Sequence, residues 1–253
     1  MTTPIDLNCD LGEGFGAWSM GDDAALLAVV SSANVACGFH GGDPTIMRGV
    51  CEMAAARGIT VGAHVGYRDL AGFGRRPIAM PATQLADDVL YQLAALDGIA
   101  RAAGTRVRYV KPHGALYNAI VRDAEQAAAV VDATRAYDPG LTILGLPGSE
   151  VLRIATVHGL PTAAEAFGDR AYHADGTLVS RRRPGAVITD PDEVAARCLR
   201  LVTAGELPSV DGEPVAVAAR SFCVHGDTPG AAGLLRRVRD VLTEHGVPIT
   251  PFA

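Results

Sequence analysis

Residues 81–113 read PATQLADDVLYQLAALDGIARAAGTRVRYVKPH, and this stretch decides the fold. Pro81 opens a helical pattern that runs to about Ala103, with leucine and valine recurring every three to four residues, and Gly104 ends it. The apolar run from Val107 to His113 follows directly and reads as a strand that ends in polar residues. Alternation of this kind is typical of parallel strands joined by helices.

The same alternation extends outward along the whole chain. Seven strands are predicted, near residues 5–10, 33–38, 59–64, 107–113, 141–146, 162–166 and 221–225. Helical patterns separate the strands, except that an irregular segment at 169–186, a helix and a hairpin-like stretch all precede the seventh strand. Nothing resembles a linker or a repeat, so we expect residues 1–253 to form a single domain.

Polar residues occupy the C-terminal end of strand after strand. They are Asn8, Asp10, His40, His64, Lys111, His113, Glu165 and His225. An open doubly wound sheet takes its ligand at one switch point, from few strands. A barrel gathers side chains from many strand ends into one mouth. The wide distribution therefore predicts a seven-stranded, TIM-like β/α barrel.

The composition excludes several function classes. The 253 residues carry a net charge of −6 and only 5% aromatics, which argues against nucleic acid or an anionic membrane as the main partner. No run of 18 apolar residues occurs, and the opening MTTPIDLNCD is unlike a signal peptide. Five cysteines without a CxxC pair fit a reduced protein, so we expect a cytoplasmic location.

The seven histidines divide by context. Four follow strands and are expected to line the active site: His40, His64, His113 and His225. A lone histidine in such a place would more often be structural. His158 and His245 each end a helix before glycine, where they suit the helix dipole and serve as an internal contrast. His173 lies in the irregular segment and is left unassigned.

The first strand carries Asp6, Asn8 and Asp10 at every second position, which places all three on one side. Carboxylates that point into a barrel are costly unless they are used. We therefore predict a catalytic role for Asp10 and substrate contacts for Asn8 and for Glu13 in the following loop. The alternative is that Asp10 only begins a turn.

Two cationic positions complete the candidate site. Lys111 precedes Pro112 and could hold an anion or donate a proton, or it could simply pair with Asp10 or Glu13. Arg75 lies in a glycine-rich loop at 72–77 and is predicted to bind substrate. The run 181–183 is three arginines, which we interpret as a solvated face or a partner contact. No P-loop, GxSxG or HExxH motif occurs.

Six long motifs resemble those of one family. They are DLNCDLGEGFG at 6–16, SANVACGFHGGDP at 32–44, VGAHVGYRDLAGFGRRP at 61–77, VKPHGALYN at 110–118, FGDRAYHADGTLVSRRRPGA at 167–186 and CVHGDTPGA at 223–231. In this order, and over nearly the whole chain, they closely resemble the LamB/YcsF family. The resemblance implies an irregular barrel of the glycoside hydrolase/deacetylase type. It also implies cleavage of 5-oxo-L-proline to L-glutamate, coupled to hydrolysis of ATP accompanied by Mg²⁺, with two partner proteins, the 5-oxoprolinase subunits B and C.

In such chemistry Lys111 and Arg75 would hold anionic groups. Asp10, with one of the catalytic candidates His40, His64 and His113, would activate water or relay protons. The resemblance leaves open where ATP binds.

Two other functions stay open. One is a metal-dependent amidohydrolase or carbohydrate deacetylase with Asp10, His40 and His64 as ligands, which a chelator would inhibit without ATP. The other is a non-catalytic component that only binds substrate.

Overall fold

The computed structural model describes residues 3–228 and 230–253. The strands are β1 (Asp6–Leu11), β2 (Ser32–Ala36), β3 (Thr60–His64), β4 (Val107–Val110), β5 (Thr142–Gly145), β6 (Thr162–Phe167), β7 (Glu206–Leu207), β8 (Val215–Ala216) and β9 (Ser221–Val224). The helices are α1 (Asp23–Leu27), α2 (Pro44–Arg57), α3 (Ala82–Ala102), α4 (Gly114–Ala119), α5 (Ala124–Tyr137), α6 (Glu150–Val157), α7 (Pro191–Ala204) and α8 (Ala231–Glu244). A 3₁₀ turn at Leu70–Gly72 follows β3.

Seven parallel strands close into a barrel in the order β1-β2-β3-β4-β5-β6-β9. This confirms the predicted seven-stranded barrel. The strand β9 lies between β6 and β1, with Asp6 in register with Ser221 and Glu165 in register with the same serine. The predicted hairpin-like stretch is the antiparallel pair β7–β8, which lies outside the barrel sheet.

The ends of the elements follow local chemistry. The Asp43 side chain accepts hydrogen bonds from the first turn of α2, and Gly58 ends that helix in the left-handed region at φ 67°. The predicted fourth strand reaches His113, but β4 ends at Val110. The backbone N–H groups of Lys111 and His113 still bond to the β3 side of the barrel, while the intervening Pro112 has no N–H to offer.

Apolar residues fill the layer between the barrel and its helices. The α3 stripe predicted from sequence is buried there: Leu85, Val89, Leu93 and Leu96. The barrel lumen is different, because buried polar side chains occupy it from the first strand onward. Over the ranges described, we find no helix with the length and apolarity needed to cross a membrane.

Candidate functional site

Alternation along β1 sends Asp6, Asn8 and Asp10 into the lumen, as the sequence predicts. The three side chains lie at different depths. Asp6 is the innermost, and its carboxylate accepts hydrogen bonds from three serine hydroxyls: Ser31 and Ser32, each at 2.6 Å, and Ser221. Burial raises the pKa of Asp6 to about 6, although the serine hydrogen bonds oppose that rise. Asp6 thus has a structural role beneath the site.

Asn8 forms the next layer and is fully buried. Its carbonyl oxygen accepts from the Asn34 amide at 2.7 Å and from Lys111 Nζ at 3.2 Å, and its amide donates to Ser221 at 2.6 Å. The sequence predicts substrate contacts for Asn8, but the structure places it outside the pocket lining, among protein partners. Its place in the lumen indicates a role in holding Lys111.

Lys111 is a buried ammonium with two carboxylate partners. Its Nζ lies 3.2 Å from Asp10 Oδ1 and 3.0 Å from Glu165 Oε2. It also donates to Cys223 Sγ at 3.1 Å. Burial alone would lower the pKa of Lys111, but Asp10 and Cys223 outweigh it and hold the pKa well above its ordinary value. The expected ion pair with Asp10 is present, while Glu165 takes the place suggested for Glu13.

Three histidines converge with Glu13 just above this layer. Glu13 Oε1 lies 3.2 Å from His40 Nε2, 3.3 Å from His113 Nδ1 and 3.9 Å from His64 Nε2. The rings of His40 and His113 stack with centroids 3.7 Å apart. Asp10 adjoins the group through His64 Nε2, at 3.4 Å. The structure thus brings Asp10 close to three of the strand-end histidines.

Close packing of two loops brings Glu13 to His40. A Cβ atom on Gly41 would lie only 2.7 Å from the Glu13 carbonyl oxygen. The Gly42 N–H donates to the Gly14 carbonyl at 2.7 Å. Because these glycines have no side chain, the loop after β1 can lie directly against the loop after β2.

Burial dominates the electrostatics of this group. It lowers the pKa of His40 and of His113 well below the ordinary histidine value, and the neighbouring rings lower both further. It raises the pKa of Glu13 well above its usual value, and the charge of Asp10 adds to that rise. For Asp10, burial alone would raise the pKa, but His64 and Lys111 outweigh it and hold the pKa well below its usual value.

A pocket of about 640 Å³ opens above these residues. Its lining includes five predicted site residues besides Arg75: Asp10, His64, Lys111, His113 and His225. Glu13 and His40 are buried behind the pocket lining. The substrate role predicted for Glu13 and the catalytic role predicted for His40 would therefore have to act through residues that do line the pocket. Phe167 and Tyr117 provide apolar surface, with their rings edge to face at 5.6 Å.

The interpretation of the arginine run as a solvated face fits the exposed Arg182 and Arg183 but not Arg181, which is half-buried. Arg181 and Arg182 line the pocket together with Arg75 and Arg170. The irregular segment returns over the barrel mouth, which no periodicity in its sequence indicates. Arg170 is buried and donates to the carbonyls of Val179 at 2.5 Å and Ala186 at 3.3 Å. Burial lowers the pKa of Arg170 to about 10.

Asp227 connects this cationic wall to the loop after β9. Its carboxylate lies 2.6 Å from Arg75 Nη2 and 3.6 Å from Arg181 Nη1. Arg75 therefore lies at the pocket as predicted, but one of its donors is already engaged. Four cations against one carboxylate leave this wall strongly suited to anions.

His225 forms a pair with Asp169, which sequence reasoning missed. His225 Nδ1 lies 3.0 Å from both oxygens of the buried carboxylate, and the ring stacks on Phe167 at 5.1 Å. Burial alone would raise the pKa of Asp169, but His225 and the Thr228 hydroxyl hold it below its usual value. Since Nδ1 is committed to Asp169, Nε2 is the nitrogen left for a ligand.

The remaining histidines lie away from the pocket, in contrast to those that follow strands. His158 and His245 lie at the C-terminal ends of α6 and α8. Those helices run back from the mouth, so both histidines lie at the opposite end of the barrel. His173 lies 3.4 Å from Asp211 in the irregular segment and does not line the pocket.

Comparison with known proteins gives consistent likenesses. The model of the LamB/YcsF family matches residues 5–253. A Streptomyces avermitilis protein, named as the A subunit of 5-oxoprolinase, is 58% identical over 249 residues, which are 98% of this chain and all of that protein. A protein of the same name from Kocuria rhizophila is 58% identical over 251 residues, 99% of this chain and all of that one.

Solved structures agree with the fold. The lactam utilization protein from Thermus thermophilus superposes with a TM-score of 0.94 and 45% identity, over 99% of this chain and 100% of that one. A family 4 carbohydrate esterase from Streptomyces lividans has a TM-score of 0.53 at 12% identity, over 99% of this chain and 93% of that one. The second likeness concerns the barrel alone.

Proposed function

The chain belongs to the LamB/YcsF family, and we propose on that basis that it is the A subunit of an ATP-dependent 5-oxoprolinase. It would open the ring of 5-oxo-L-proline to give L-glutamate while ATP is converted to ADP and phosphate, together with subunits B and C. The observation that carries this proposal is the full-length likeness to relatives named as that same component of 5-oxoprolinase. The likeness to a lactam utilization protein supports the same substrate class.

The chemistry explains why such an enzyme needs many charged groups. A five-membered lactam is an unreactive amide, and transfer of a phosphoryl group from ATP to its carbonyl oxygen would activate it. Water then adds to the carbonyl carbon, the C–N bond breaks with a proton passing to the ring nitrogen, and γ-glutamyl phosphate is formed. A second water hydrolyses this acyl phosphate to L-glutamate and phosphate. The site must hold a carboxylate and a phosphoryl group and must supply a base and an acid.

Cations on the pocket wall support the anion-binding part of the proposal. Arg75, Arg170 and Arg181 surround the opening, and Lys111 lies at its inner end. A guanidinium pairs with carboxylate or phosphate oxygens through two parallel donors. We assign the arginines to the anionic groups of the substrate and Lys111 to the charge that develops on the carbonyl oxygen.

Two carboxylate–histidine pairs support the acid–base part. Asp10 lies 3.4 Å from His64 Nε2 and is oriented by the Asn34 amide at 2.8 Å. His225 is oriented in the same way by Asp169. We assign Asp10 to the activation of water and His225 to protonation of the leaving nitrogen. ATP and Mg²⁺ enter as co-substrate and counterion, and no residue of this chain is assigned to them.

We further propose that the chain works in the cytoplasm as a single domain. Five buried free cysteines support a reducing compartment. One large apolar cluster, with members from residue 5 to residue 247, supports a shared core.

The decisive experiment is reconstitution. The purified chain is combined with its two partner proteins, and glutamate formed from 5-oxo-L-proline is measured with and without ATP. We expect turnover only when all three proteins and ATP are present. Robust turnover by this chain alone would contradict the dependence on partners, and no turnover by the complete mixture would contradict the proposed activity.

A second candidate function is a metal-dependent hydrolase of amides or acetylated sugars. The cluster of Glu13 with three histidines favours it, because imidazole and carboxylate are ligands of catalytic zinc. Hydrolysis by the lone chain that needs no ATP and stops with a chelator would select this candidate. A protein that only binds substrate for its partners is excluded if Asp10→Asn abolishes turnover and leaves substrate binding intact.

A further inference from the structure

We propose that Glu13, His40, His64 and His113 form a binding site for one divalent transition-metal ion, with zinc as the first candidate. The expected alternative set, Asp10 with two histidines, is not the one that the structure assembles. Instead, Glu13 and His113 complete the group, and one ligand atom from each of the four lies within 4.8 Å of every other. This inference does not depend on the proposed function.

The hydrogen bonds of two rings fix which nitrogens carry protons. His64 Nδ1 lies 2.9 Å from the Lys111 carbonyl, and His113 Nε2 lies 2.8 Å from the Phe73 carbonyl. A carbonyl oxygen can only accept, so each of these nitrogens must donate its hydrogen. In a neutral imidazole the other nitrogen then holds only a lone pair. Backbone carbonyls commonly orient metal-binding histidines in this way.

Two imidazole nitrogens that can only accept a hydrogen bond therefore face each other. His64 Nε2 and His113 Nδ1 are the lone-pair nitrogens, and they lie 3.0 Å apart. Two acceptors at hydrogen-bond distance repel each other unless a cation lies between them. That cation is either a metal ion or an added proton, which Glu13 beside His113 or Asp10 beside His64 would then help to hold.

The other donors favour a metal ion over a proton. Glu13 Oε1 is 3.3 Å from His113 Nδ1 and 3.2 Å from His40 Nε2. Ligands of a tetrahedral ion with bonds of about 2.0–2.1 Å are about 3.3 Å apart, so these two distances already match such an ion, while His64 Nε2 lies farther from Glu13 Oε1, at 3.9 Å. A single proton would engage two of these atoms, whereas a metal ion would engage all four.

The donor set also restricts the metal. Three imidazole nitrogens and one carboxylate oxygen suit zinc and its neighbours, iron, cobalt and nickel. Magnesium prefers a shell of oxygens, so the ion that accompanies ATP does not match this site. His64 and His113 belong to the pocket lining, which provides a path for the ion from solvent.

The test uses the full chain and zinc alone. The purified protein is stripped with a chelator, dialysed and titrated with zinc against a chromogenic competitor. We expect about one ion per chain with a Kd below about 1 µM. Glu13→Gln and His64→Gln should each weaken zinc binding by at least about 10-fold. His158→Gln, at the far end of the barrel, should retain it within about 3-fold.

Cobalt gives a readout that needs no variant. Bound at this site of the unmodified chain, Co²⁺ should show the strong visible absorption of four-coordinate ligation, and zinc should displace it. The proposal is overturned if the stripped chain takes up no zinc, if Glu13→Gln binds zinc as the unmodified chain does, or if cobalt shows only the weak spectrum of six-coordinate surface binding.

Discussion

Asp10 Oδ1 lies 3.2 Å from Lys111 Nζ, inside the barrel and at the inner end of the pocket. The two side chains come from neighbouring regions of the lumen that the sequence separates by 101 positions. Because Lys111 also has Glu165 at 3.0 Å, loss of the Asp10 charge would not leave a buried ammonium unpaired. The pair therefore allows catalysis and stability to be tested separately.

Replacement of Asp10 by asparagine should abolish most turnover without unfolding the protein. The amide keeps the size of the side chain and its neighbours but cannot take a proton from water. We expect the reconstituted enzyme to lose a factor of about 10² or more in turnover, the usual contribution of an acid–base group. The melting temperature is measured alongside. Near-normal turnover in the assembled complex would make Asp10 structural.

Asp6 should make folding stability depend on pH. Its folded pKa of about 6 exceeds the ordinary aspartate value of about 3.9, so the native state binds this proton more tightly than the unfolded chain does. The resulting stabilisation is complete below about pH 4 and is lost as pH rises through 6. The difference of about two pKa units corresponds to about 3 kcal/mol.

Asp6→Asn isolates this effect, because the amide resembles the protonated acid. Urea unfolding of both proteins is measured from pH 4 to pH 7. We expect the free energy of unfolding of the variant, relative to the unmodified chain, to rise by about 2 kcal/mol over that range. A difference that stays constant with pH would show that Asp6 is ionised throughout.

Gly62 is required by the ring of Tyr109. A Cβ at Gly62 would overlap that ring, which is buried and held by its hydroxyl at 2.6 Å from Asn34 Oδ1. Gly62→Ala should therefore destabilise the chain by about 3 kcal/mol. Gly49→Ala is the matched control, since its Cβ would meet no described atom within 4 Å. In the middle of α2 it should stabilise by about 0.5–1 kcal/mol. Equal melting temperatures would contradict this account of the lumen.

Arg181 and Arg183 provide a matched pair for the cationic wall. Arg181 lines the pocket, whereas Arg183 is exposed and does not line it. Both glutamine variants remove one positive charge. We expect Arg181→Gln to raise the KM for 5-oxo-L-proline about 10-fold in the reconstituted enzyme, because a hydrogen bond to a charged group is lost. Arg183→Gln should leave it unchanged, and equal effects would indicate a general charge effect.

The cysteines should be unreactive in the folded protein. All five are free and buried. Burial raises the pKa of Cys51 to about 12 and the pKa of Cys9, Cys198 and Cys223 well above the ordinary value. A thiol reagent should therefore modify fewer than one group per native chain and all five after denaturation. Rapid modification of the native chain would point to an accessible thiolate.

Periodicity and capping chemistry predict the barrel well. The alternation of strands and helices, the apolar stripe of α3 and the inward side of β1 all depend on short-range patterns, and the structure agrees with each. The strand-end rule also brings His64, Lys111 and His113 to one place, because parallel strands end at the same edge.

The features of the site that sequence patterns do not predict depend mainly on loops. Glu13 reaches the histidines only because Gly41 lets two loops lie in contact. Arg170 and Arg181 reach the pocket through a segment without regular hydrophobic spacing. Asn8 has the right orientation for a ligand contact, but its depth in the lumen depends on how the barrel closes, which no local pattern encodes.

Closure of the barrel has a further consequence for how the protein folds. The seam between β1 and β9 joins residues that are 215 positions apart in the chain, as in the contact of Asp6 with Ser221. A contact across so long a loop carries a high entropic cost and forms late. Asn8 meets Ser221 across this seam, and Lys111 meets Cys223 of the closing strand β9. We expect both contacts to form late, so the polar layer beneath the pocket is completed only when the barrel closes.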